Sequence, residues 1–270
     1  FALGENVKQS NWGDFERIRF PQTRMGVEQV FYDHFIRARE YGESFIKYRH
    51  DLSKTSRRNL RAGKGPIEPR YDIELETLLQ ILREERFVTC HSYRQDEINM
   101  LMHVADSMNF RLNTFTHILE GYKVADKMKE HGAGGSSFSD WWAYKYEVKD
   151  AIPYNGAILY GQGITTAFNS DDAEMARRLN QEAAKAVKYG RVPEEEALKF
   201  VTLNPAKLLH IDHKTGSIKV GKDADVVVWD EHPLSMNARA VRTYVEGDCL
   251  YSLEQDLILR KAIQTERARI

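Results

Sequence analysis

The sequence predicts an α/β fold in which βα units build a parallel sheet, followed by a small β layer and a C-terminal helix. Three observations predict this fold. From Phe87 onward, short apolar runs alternate with helical patterns of about 10 to 15 residues, which is typical of parallel sheets. From Gly216 the helical patterns give way to β-rich runs that turn on Gly and Asp. The tail from Leu253 to Ile270 returns to helical spacing.

The composition supports a folded chain and excludes some classes of partner. The chain has 270 residues, and 42% of them are hydrophobic, which is enough for a substantial core. Lys and Arg number 39 and Asp and Glu 40, so no charge excess points to nucleic acid or to an anionic membrane. No window approaches the roughly 18 apolar residues that a membrane helix needs. Cys90 and Cys249 lie in apolar, strand-like runs and are interpreted as buried free thiols.

The first part of the chain is predicted to be mainly helical. Residues 25–49 carry apolar side chains at helical spacing and predict one long helix. Residues 55–70 are basic and rich in Gly and Pro, which favours a surface loop with solvated charges over a binding patch. A second helix is predicted over residues 72–85, and a short strand over residues 87–90 ends at His91.

The βα pattern then repeats to about residue 210. A run of small residues over 132–138 predicts a strand in a crowded place, and Pro193 stands near the start of a helix, where it is tolerated. The other predicted elements are helices over 95–109, 121–131, 155–163, 173–190 and 193–210, and strands over 111–117 and 164–172.

Three of the predicted strands end on residues that can bind a metal. The residues are His91, His117 and Asp171, and the carboxyl ends of parallel strands are where functional groups gather. Imidazole nitrogen and carboxylate oxygen are the ligands that Zn²⁺ and related ions prefer. Such an ion acidifies a bound water and polarises a carbonyl, and an adjacent carboxylate can carry the proton. Asp171 could do this while also touching the metal.

A structural interpretation competes with the metal site. A single histidine at a strand end is more often a structural residue than a ligand. Two of them, with an aspartate at a third strand end, make coincidence less common, but the fold must still bring them together. The spacing alone therefore leaves both interpretations open.

Three motifs in the C-terminal third favour the metal site. T-x-N-P-A occurs at 202–206, G-S-I-K-V-G-K-D-A-D-V-V-V-W at 216–229, and V-R-T-Y-V-E-G at 241–247. Together they resemble the closing signature of the amidohydrolase superfamily of metal-dependent hydrolases. The resemblance is nearest to the branch of imidazolonepropionase-like enzymes and metal-dependent dipeptidases. It is strong over residues 87–252 and weak over 12–70.

The resemblance implies a more specific fold. Residues 1–210 would form the C-terminal part of a (β/α)8 TIM-type barrel, about strands five to eight. Residues 211–253 would form part of a small β-sandwich, and residues 254–270 a C-terminal helix. Within the β layer, Asp223 and Asp225 are expected to set turn geometry rather than to take part in catalysis.

The resemblance also implies roles for individual residues. His91 matches the metal-binding histidine of strand five, and His117 that of strand six. Asp171 matches the catalytic aspartate of strand eight, rather than Asp172, because it directly follows a small residue. The strand-four ligand, which bridges two metals in the family, would be Glu5 in preference to Lys8.

Other residues are expected near the substrate. Tyr93 and Arg94 follow the strand-five histidine and could meet a substrate carboxylate, Arg94 through paired hydrogen bonds. A solvent-facing loop is an equal alternative for both. The aromatic stretch over residues 134–147 is expected to pack between helices, with a pocket wall as the alternative.

One departure from the family is serious. The family's first strand carries His-x-His, and no His-x-His occurs in this chain. We therefore expect a C-terminal portion of the barrel, with the N-terminal half removed or present as another polypeptide. We expect such an open barrel either to bind the missing half noncovalently or to self-associate. His210 and His213 are spaced His-x-x-His in a turn and are expected to be structural or solvated. The histidines in helical contexts are not expected to be ligands; these are His34, His50, His103 and His131.

The function implied is metal-dependent hydrolysis of a C–N bond in a cyclic amide or peptide. The cofactor would be one or two divalent ions, with zinc preferred, and the partner a small molecule or peptide. One alternative is deamination of a heterocycle by the same groups. Another is an inactive half kept as an interaction scaffold. A His-x-His strand upstream of Phe1 would separate the enzyme from the scaffold.

Overall fold

The fold is organised around a four-stranded parallel sheet. A computed structural model of the chain describes residues 1–8 and 19–270. The strands follow one another in chain order, β1-β2-β3-β4, and each neighbouring pair is parallel. Their bounds are β1 Val88–Ser92, β2 Leu112–His117, β3 Gly134–Ser137 and β4 Thr166–Phe168. This is the strand order expected for four consecutive βα units of a barrel, and the predicted α/β class is confirmed.

The chain start lies along the free edge of β1. Ala2 pairs with His91 in a parallel bridge, the Leu3 amide donates to the His91 carbonyl (2.8 Å), and the His91 amide donates to the Phe1 carbonyl (3.0 Å). Residues 1–3 therefore extend the sheet beside β1 and lead into the turn that holds Glu5.

The helices lie in the connections between strands and ahead of β1. Helix α1 is longer than predicted, and the predicted loop over residues 55–70 contains the short helix α2. The bounds are α1 Arg24–Lys54, α2 Arg57–Arg61, α3 Ile73–Leu82, α4 Gln95–Met108, α5 Ala125–His131, α6 Asn155–Gly161, α7 Ala173–Ala176, α8 Leu179–Gly190, α9 Glu194–Lys199, α10 Leu203–Leu208 and α11 Leu253–Arg269.

The largest core cluster lies between the sheet and helices α1, α3, α4 and α5. Helix α4 presents Ile98 and Leu101 at helical spacing, and both are fully buried against strand residues such as Phe115. Burying side chains of this size contributes about 1.5 to 3 kcal/mol each. Strand β3 meets these neighbours closely, because a Cβ on Gly135 would lie 2.8 Å from Ile118 Cδ1. The expectation of a strand in a crowded place is confirmed.

Two predicted helices are each broken in two. The helix predicted over 193–210 ends at Lys199 and resumes at Leu203. A continuous helix would place the Pro205 ring against the carbonyl four residues earlier and would lose that hydrogen bond. The break instead places Pro205 in the first turn of α10, where a backbone N–H has no intrahelical partner. The Phe200 carbonyl, released from the helix, accepts the Phe168 amide of β4 (2.8 Å).

The helix predicted over 173–190 is broken at Arg178, whose φ of −129° and ψ of 28° are not helical. The first segment, α7, is held from outside: the Trp141 indole N–H donates to Met175 Sδ (2.8 Å). A long-range hydrogen bond therefore fixes the position of α7, and the local periodicity of the sequence cannot predict such a contact.

The C-terminal β layer is an antiparallel sheet of order β5-β6-β7, with β5 Val226–Trp229, β6 Ala240–Val245 and β7 Asp248–Ser252. Helix α11 follows it directly. Residues 216–225 are not in a strand, so the β layer begins later than the β-rich pattern from Gly216 predicts. Cys249 is exposed on β7, which corrects its interpretation as a buried thiol, whereas Cys90 is buried. Across the described ranges, no helix is both long and apolar enough to cross a membrane.

The sequence motifs of the C-terminal third contact one another. The Asn204 side-chain amide donates to the Thr166 carbonyl of β4 (2.8 Å). Gly216 has φ +83° and packs so tightly on α10 that an added Cβ would lie 2.7 Å from Ala206 Cβ. Asp225 accepts from the Thr215 hydroxyl and the Glu246 amide, as expected of a residue that sets turn geometry. The motifs thus join β4, α10 and the β layer.

Candidate active site

The two histidines predicted at strand ends meet at one edge of the sheet. His91 is the fourth residue of β1 and His117 the last of β2, and these strands are parallel neighbours in which His117 aligns with Ser92. The two imidazole centroids are 4.5 Å apart, with ring planes at 65°. Residues separated by 26 positions are therefore side by side, and the reason is the shared polarity of adjacent parallel strands.

Both imidazoles are held in the neutral form. Burial, together with the nearby charges of His117 and Lys145, lowers the pKa of His91 to about 4. Burial also lowers the pKa of His117, and Lys145 adds to the effect. Near pH 7 each ring therefore has a nitrogen lone pair available, which is the form in which histidine binds metals.

The surroundings of the two rings differ. The His91 Nε2 lies 2.7 Å from the Asn6 side-chain nitrogen, which donates to a neutral ring. The His117 Nδ1 is buried and has no hydrogen-bond partner among the described residues. His117 also has a left-handed backbone, with φ of +72°. An unpartnered buried nitrogen and an uncommon backbone at one residue are costly, and such features concentrate at functional sites.

Asp171 lies close enough to act on both imidazoles. Its charge raises the pKa of His117 and of His91, against the larger effect of burial. Its backbone is also left-handed, with φ of +51°, and its side chain is exposed. The neighbouring Asp172 has a different role: its carboxylate accepts from the amides of Glu174 and Met175 (2.9 Å each) and caps α7.

Glu5 lies in a single 3-10 turn, Gly4–Asn6, directly after the residues that pair with β1. Its carboxylate forms an ion pair with Lys145 and lies close enough to His91 to raise the pKa of that imidazole. The turn is held by buried acids: Gly4 N–H donates to Glu97 Oε1 (3.0 Å), and Glu5 N–H donates to Glu147 Oε2 (3.3 Å).

These acids belong to a network of charges under the turn. Lys8 is buried and lies 3.7 Å from Glu147, while Arg24 lies 3.3 Å from Glu97 and 3.2 Å from Glu147. Burial raises the pKa of Glu97, although Arg24 opposes this. The network fixes the loop that brings Glu5 and Asn6 to the histidines. Lys8 is therefore engaged below the site.

Of the two predicted substrate-binding residues, one lies beside the histidines. Tyr93 is buried, and its ring meets His91 edge-on at 4.8 Å. Arg94 lies at the start of α4, and its guanidinium forms paired hydrogen bonds with Asp96 (3.0 and 3.3 Å). The paired hydrogen bonds that Arg94 could make to a substrate carboxylate are thus made to the Asp96 carboxylate.

An aromatic wall extends from His117. Phe138 stacks on the His117 ring at 4.9 Å, and Trp141 stacks on Phe138 at 4.8 Å. Tyr144 meets Trp141 edge-on. The aromatic stretch thus packs against the site itself, which favours the pocket-wall alternative over packing between helices.

Sequence reasoning missed Lys145, Asn6, Glu97 and Glu147. Lys145 lies in the loop between β3 and α6, which has no periodic pattern, so its contact with Glu5 across 140 positions could not be derived. Of these four residues, Glu97 is the one that the sequence could have indicated. It is an acidic residue in the first turn of α4, at a position that the helical spacing places toward the core.

The donor set fits a divalent ion in part. Two neutral imidazoles, one with an unpartnered buried nitrogen, lie beside Asp171 and Glu5, which supply the carboxylate type of ligand. In the ranges 1–8 and 19–270, no group of three or more His, Cys, Asp or Glu side chains is placed to hold a metal. The described residues therefore bring together two neutral imidazoles with carboxylates nearby.

Comparison with known proteins places this fold and site in a class. The amidohydrolase family matches residues 143–250. An amidohydrolase of Thermotoga maritima has a similar structure, with a TM-score of 0.76 and 30% identity, over 93% of this chain and 61% of that one. The chain belongs to the amidohydrolase superfamily.

Two sequence relatives refine the comparison. The amidohydrolase tasK of Hapsidospora irregularis is 32% identical over 253 residues, which cover 91% of this chain and 25% of the relative. The urease subunit alpha of Edwardsiella ictaluri is 39% identical over 90 residues, 27% of this chain and 16% of the relative. The chain thus spans a quarter of tasK and about three fifths of the Thermotoga protein.

Proposed function

We propose that this chain forms part of a metal-dependent hydrolase that cleaves a C–N bond in a cyclic amide or peptide. The observation that carries the proposal is the adjacency of His91 and His117, 4.5 Å apart, with His117 Nδ1 buried and unpartnered among the described residues. Superfamily membership supports hydrolysis in general, and the relatives named amidohydrolase support an amide as the bond cleaved.

The residues of the site would have different roles. His91 and His117 would hold the ion, with Asp171 and Glu5 as the carboxylates nearest to it. A bound divalent ion, with zinc preferred, polarises a carbonyl and lowers the pKa of water. Asp171 would take the proton of the attacking water and pass it to the leaving nitrogen. Its exposed side chain, next to two neutral imidazoles, leaves it accessible to water and substrate.

The rest of the ligand set would come from another part of the barrel. We expect a polypeptide corresponding to barrel strands one to four, or a second copy of this chain, to cover the free edge beside residues 1–3. The shares of the relatives that are matched support this expectation. Size-exclusion chromatography of the isolated chain tests it: self-association or retention of a partner is expected, and a well-folded monomer in dilute solution would contradict it.

The hydrolase proposal is tested by amide cleavage. The protein, together with any polypeptide that completes the barrel, is assayed with a panel of dipeptides, N-acyl amino acids and cyclic amides. We expect release of amine or ring opening that a chelator abolishes and added zinc restores. The variant His117→Ala should lose this activity, and His213→Ala, an exposed histidine, should keep it. Full activity in the presence of chelator would contradict the proposal.

A further inference from the structure

Lys145 places a positive charge beside the two histidines. Its ammonium lies 4.1 Å from the centre of the Tyr93 ring and forms an ion pair with Glu5. The Tyr93 ring in turn meets the His91 ring edge-on at 4.8 Å.

The ammonium has capacity for another partner. A lysine ammonium has three N–H donors. In the described ranges, one is directed to Glu5 Oε1 and the ring face of Tyr93 receives the charge on another side. The Lys145 side chain is only 25% exposed, so a second anion would meet it in a partly desolvated setting, where charge-assisted hydrogen bonds are strong.

Neighbouring cations are already engaged elsewhere. Arg94 is held by Asp96, and Lys8 lies against Glu147. Lys123 forms an ion pair with Asp150 at 2.7 Å. Among these, Lys145 is the cation that lies over the Tyr93 ring, which itself contacts the His91 ring.

The loop presents Lys145 in a defined position. The Ala143 amide donates to the Val148 carbonyl (3.2 Å), and the Val148 amide donates to the Lys145 carbonyl (3.1 Å), so the loop closes on itself. Tyr93 and Tyr144 border the ammonium, at 4.1 and 5.8 Å from their ring centres. The result is a cation at one end of an aromatic wall that begins at His117.

From this arrangement we infer that Lys145 binds a carboxylate of the substrate. The inference rests on the proposed function and narrows it: the substrate is an N-acyl amino acid or short peptide with a free carboxylate close to the scissile amide. The carboxylate would accept from Lys145, the apolar part would lie along Tyr93 and Tyr144, and the amide carbonyl would face His91 and His117.

The test compares two substrates that differ only in charge. An N-acyl amino acid and its carboxamide are hydrolysed by the protein loaded with zinc, and the ratio of their kcat/KM values is the readout. We expect the wild-type protein to prefer the acid by about 10- to 100-fold, which is the range for one charge-assisted hydrogen bond. In Lys145→Met the ratio should fall toward unity, mainly through a higher KM for the acid. Lys145→Arg should retain most of it.

A matched control is Lys149→Met, because Lys149 also lies over a tyrosine ring, 4.8 Å from that of Tyr146. It should keep the wild-type ratio. The inference is overturned if the wild-type protein cleaves both substrates equally, or if Lys145→Met lowers both rates in proportion, as a purely structural ion pair would. Thermal unfolding of each variant checks that it is folded. Inactivity of the wild-type protein on every amide would instead overturn the proposed function, and this inference with it.

Discussion

The imidazole rings of His91 and His117 lie 4.5 Å apart at the carboxyl ends of adjacent parallel strands, and burial keeps both neutral. This relationship has a consequence for the metal-free protein. The pKa of His91 is about 4 in the folded chain and about 6.5 in an unfolded one. As pH falls from about 6.5 to 4, the unfolded chain takes up the proton first, so His91 lowers stability in that window and contributes nothing above it.

The expected result is a loss of stability on acidification that depends on His91. Urea midpoints of the metal-free protein at about pH 7 and pH 5 should differ less in His91→Gln than in the wild-type protein. The exposed His213→Gln should behave as wild type. An equal change in all three proteins would show that His91 does not carry this pH dependence.

The two adjacent aspartates should have separable effects. Asp171→Asn removes the proposed proton carrier, and we expect kcat to fall by about 10² to 10⁴-fold with the metal retained. Asp172→Asn preserves an N-cap acceptor for α7, so kcat should stay within a few-fold of wild type. Steady-state kinetics of the two variants decides the matter. The opposite order of effects would transfer the catalytic role to Asp172.

The buried acids under the Glu5 turn should be important for stability. Glu97→Ala removes one acid partner of Arg24 and leaves the Gly4 amide without its acceptor, and we expect the free energy of unfolding to fall by about 2 to 4 kcal/mol. Glu97→Gln keeps an acceptor for the Gly4 amide and should cost less. Glu195→Ala, at an exposed position of α9, should change it by less than about 0.5 kcal/mol. Urea denaturation measures all three; a silent Glu97→Ala would contradict the network.

Helices α6 and α8 approach each other closely at Gly190, which has no side chain. A Cβ at Gly190 would overlap that of Ala157, so Gly190→Ala must push the helices apart and should cost about 1 to 3 kcal/mol. Gly161, at the end of α6, has nothing within 4 Å of an added Cβ, and Gly161→Ala should be close to neutral. Thermal unfolding compares them, and equal midpoints would count against a close approach of the two helices at Gly190.

The extent to which the sequence predicts the site follows from the range of the interactions involved. His91 and His117 can be placed together because apolar runs mark their strands and parallel strands share one polarity. Lys145 cannot, because its position depends on the path of an aperiodic loop. For Arg94 the sequence leaves a substrate carboxylate and a solvent-facing loop as equal alternatives. It does not indicate the local Arg94–Asp96 ion pair, because that pair has no periodic pattern.

The fold shows the same division. Strand order and most helices follow from periodicity. The break before Pro205 instead follows from the exclusion of proline from a helix interior. The periodic pattern over 193–210 predicts one continuous helix and therefore misses this break. The exposure of Cys249 does not follow from the sequence, because an apolar, strand-like run around a cysteine predicts burial. In the structure, every residue of β7 is at least partly exposed to solvent.

The measurement that tests the central claim most directly is the metal content of the protein with His91 and His117 altered. Zinc per chain is determined by mass spectrometry after loading and extensive dialysis, together with any polypeptide that completes the barrel, for the wild-type protein, the double variant His91→Ala/His117→Ala, and His213→Ala. The account predicts at least one ion per chain in the wild-type protein and in His213→Ala, and its loss from the double variant. A double variant that retains the full metal content would contradict it.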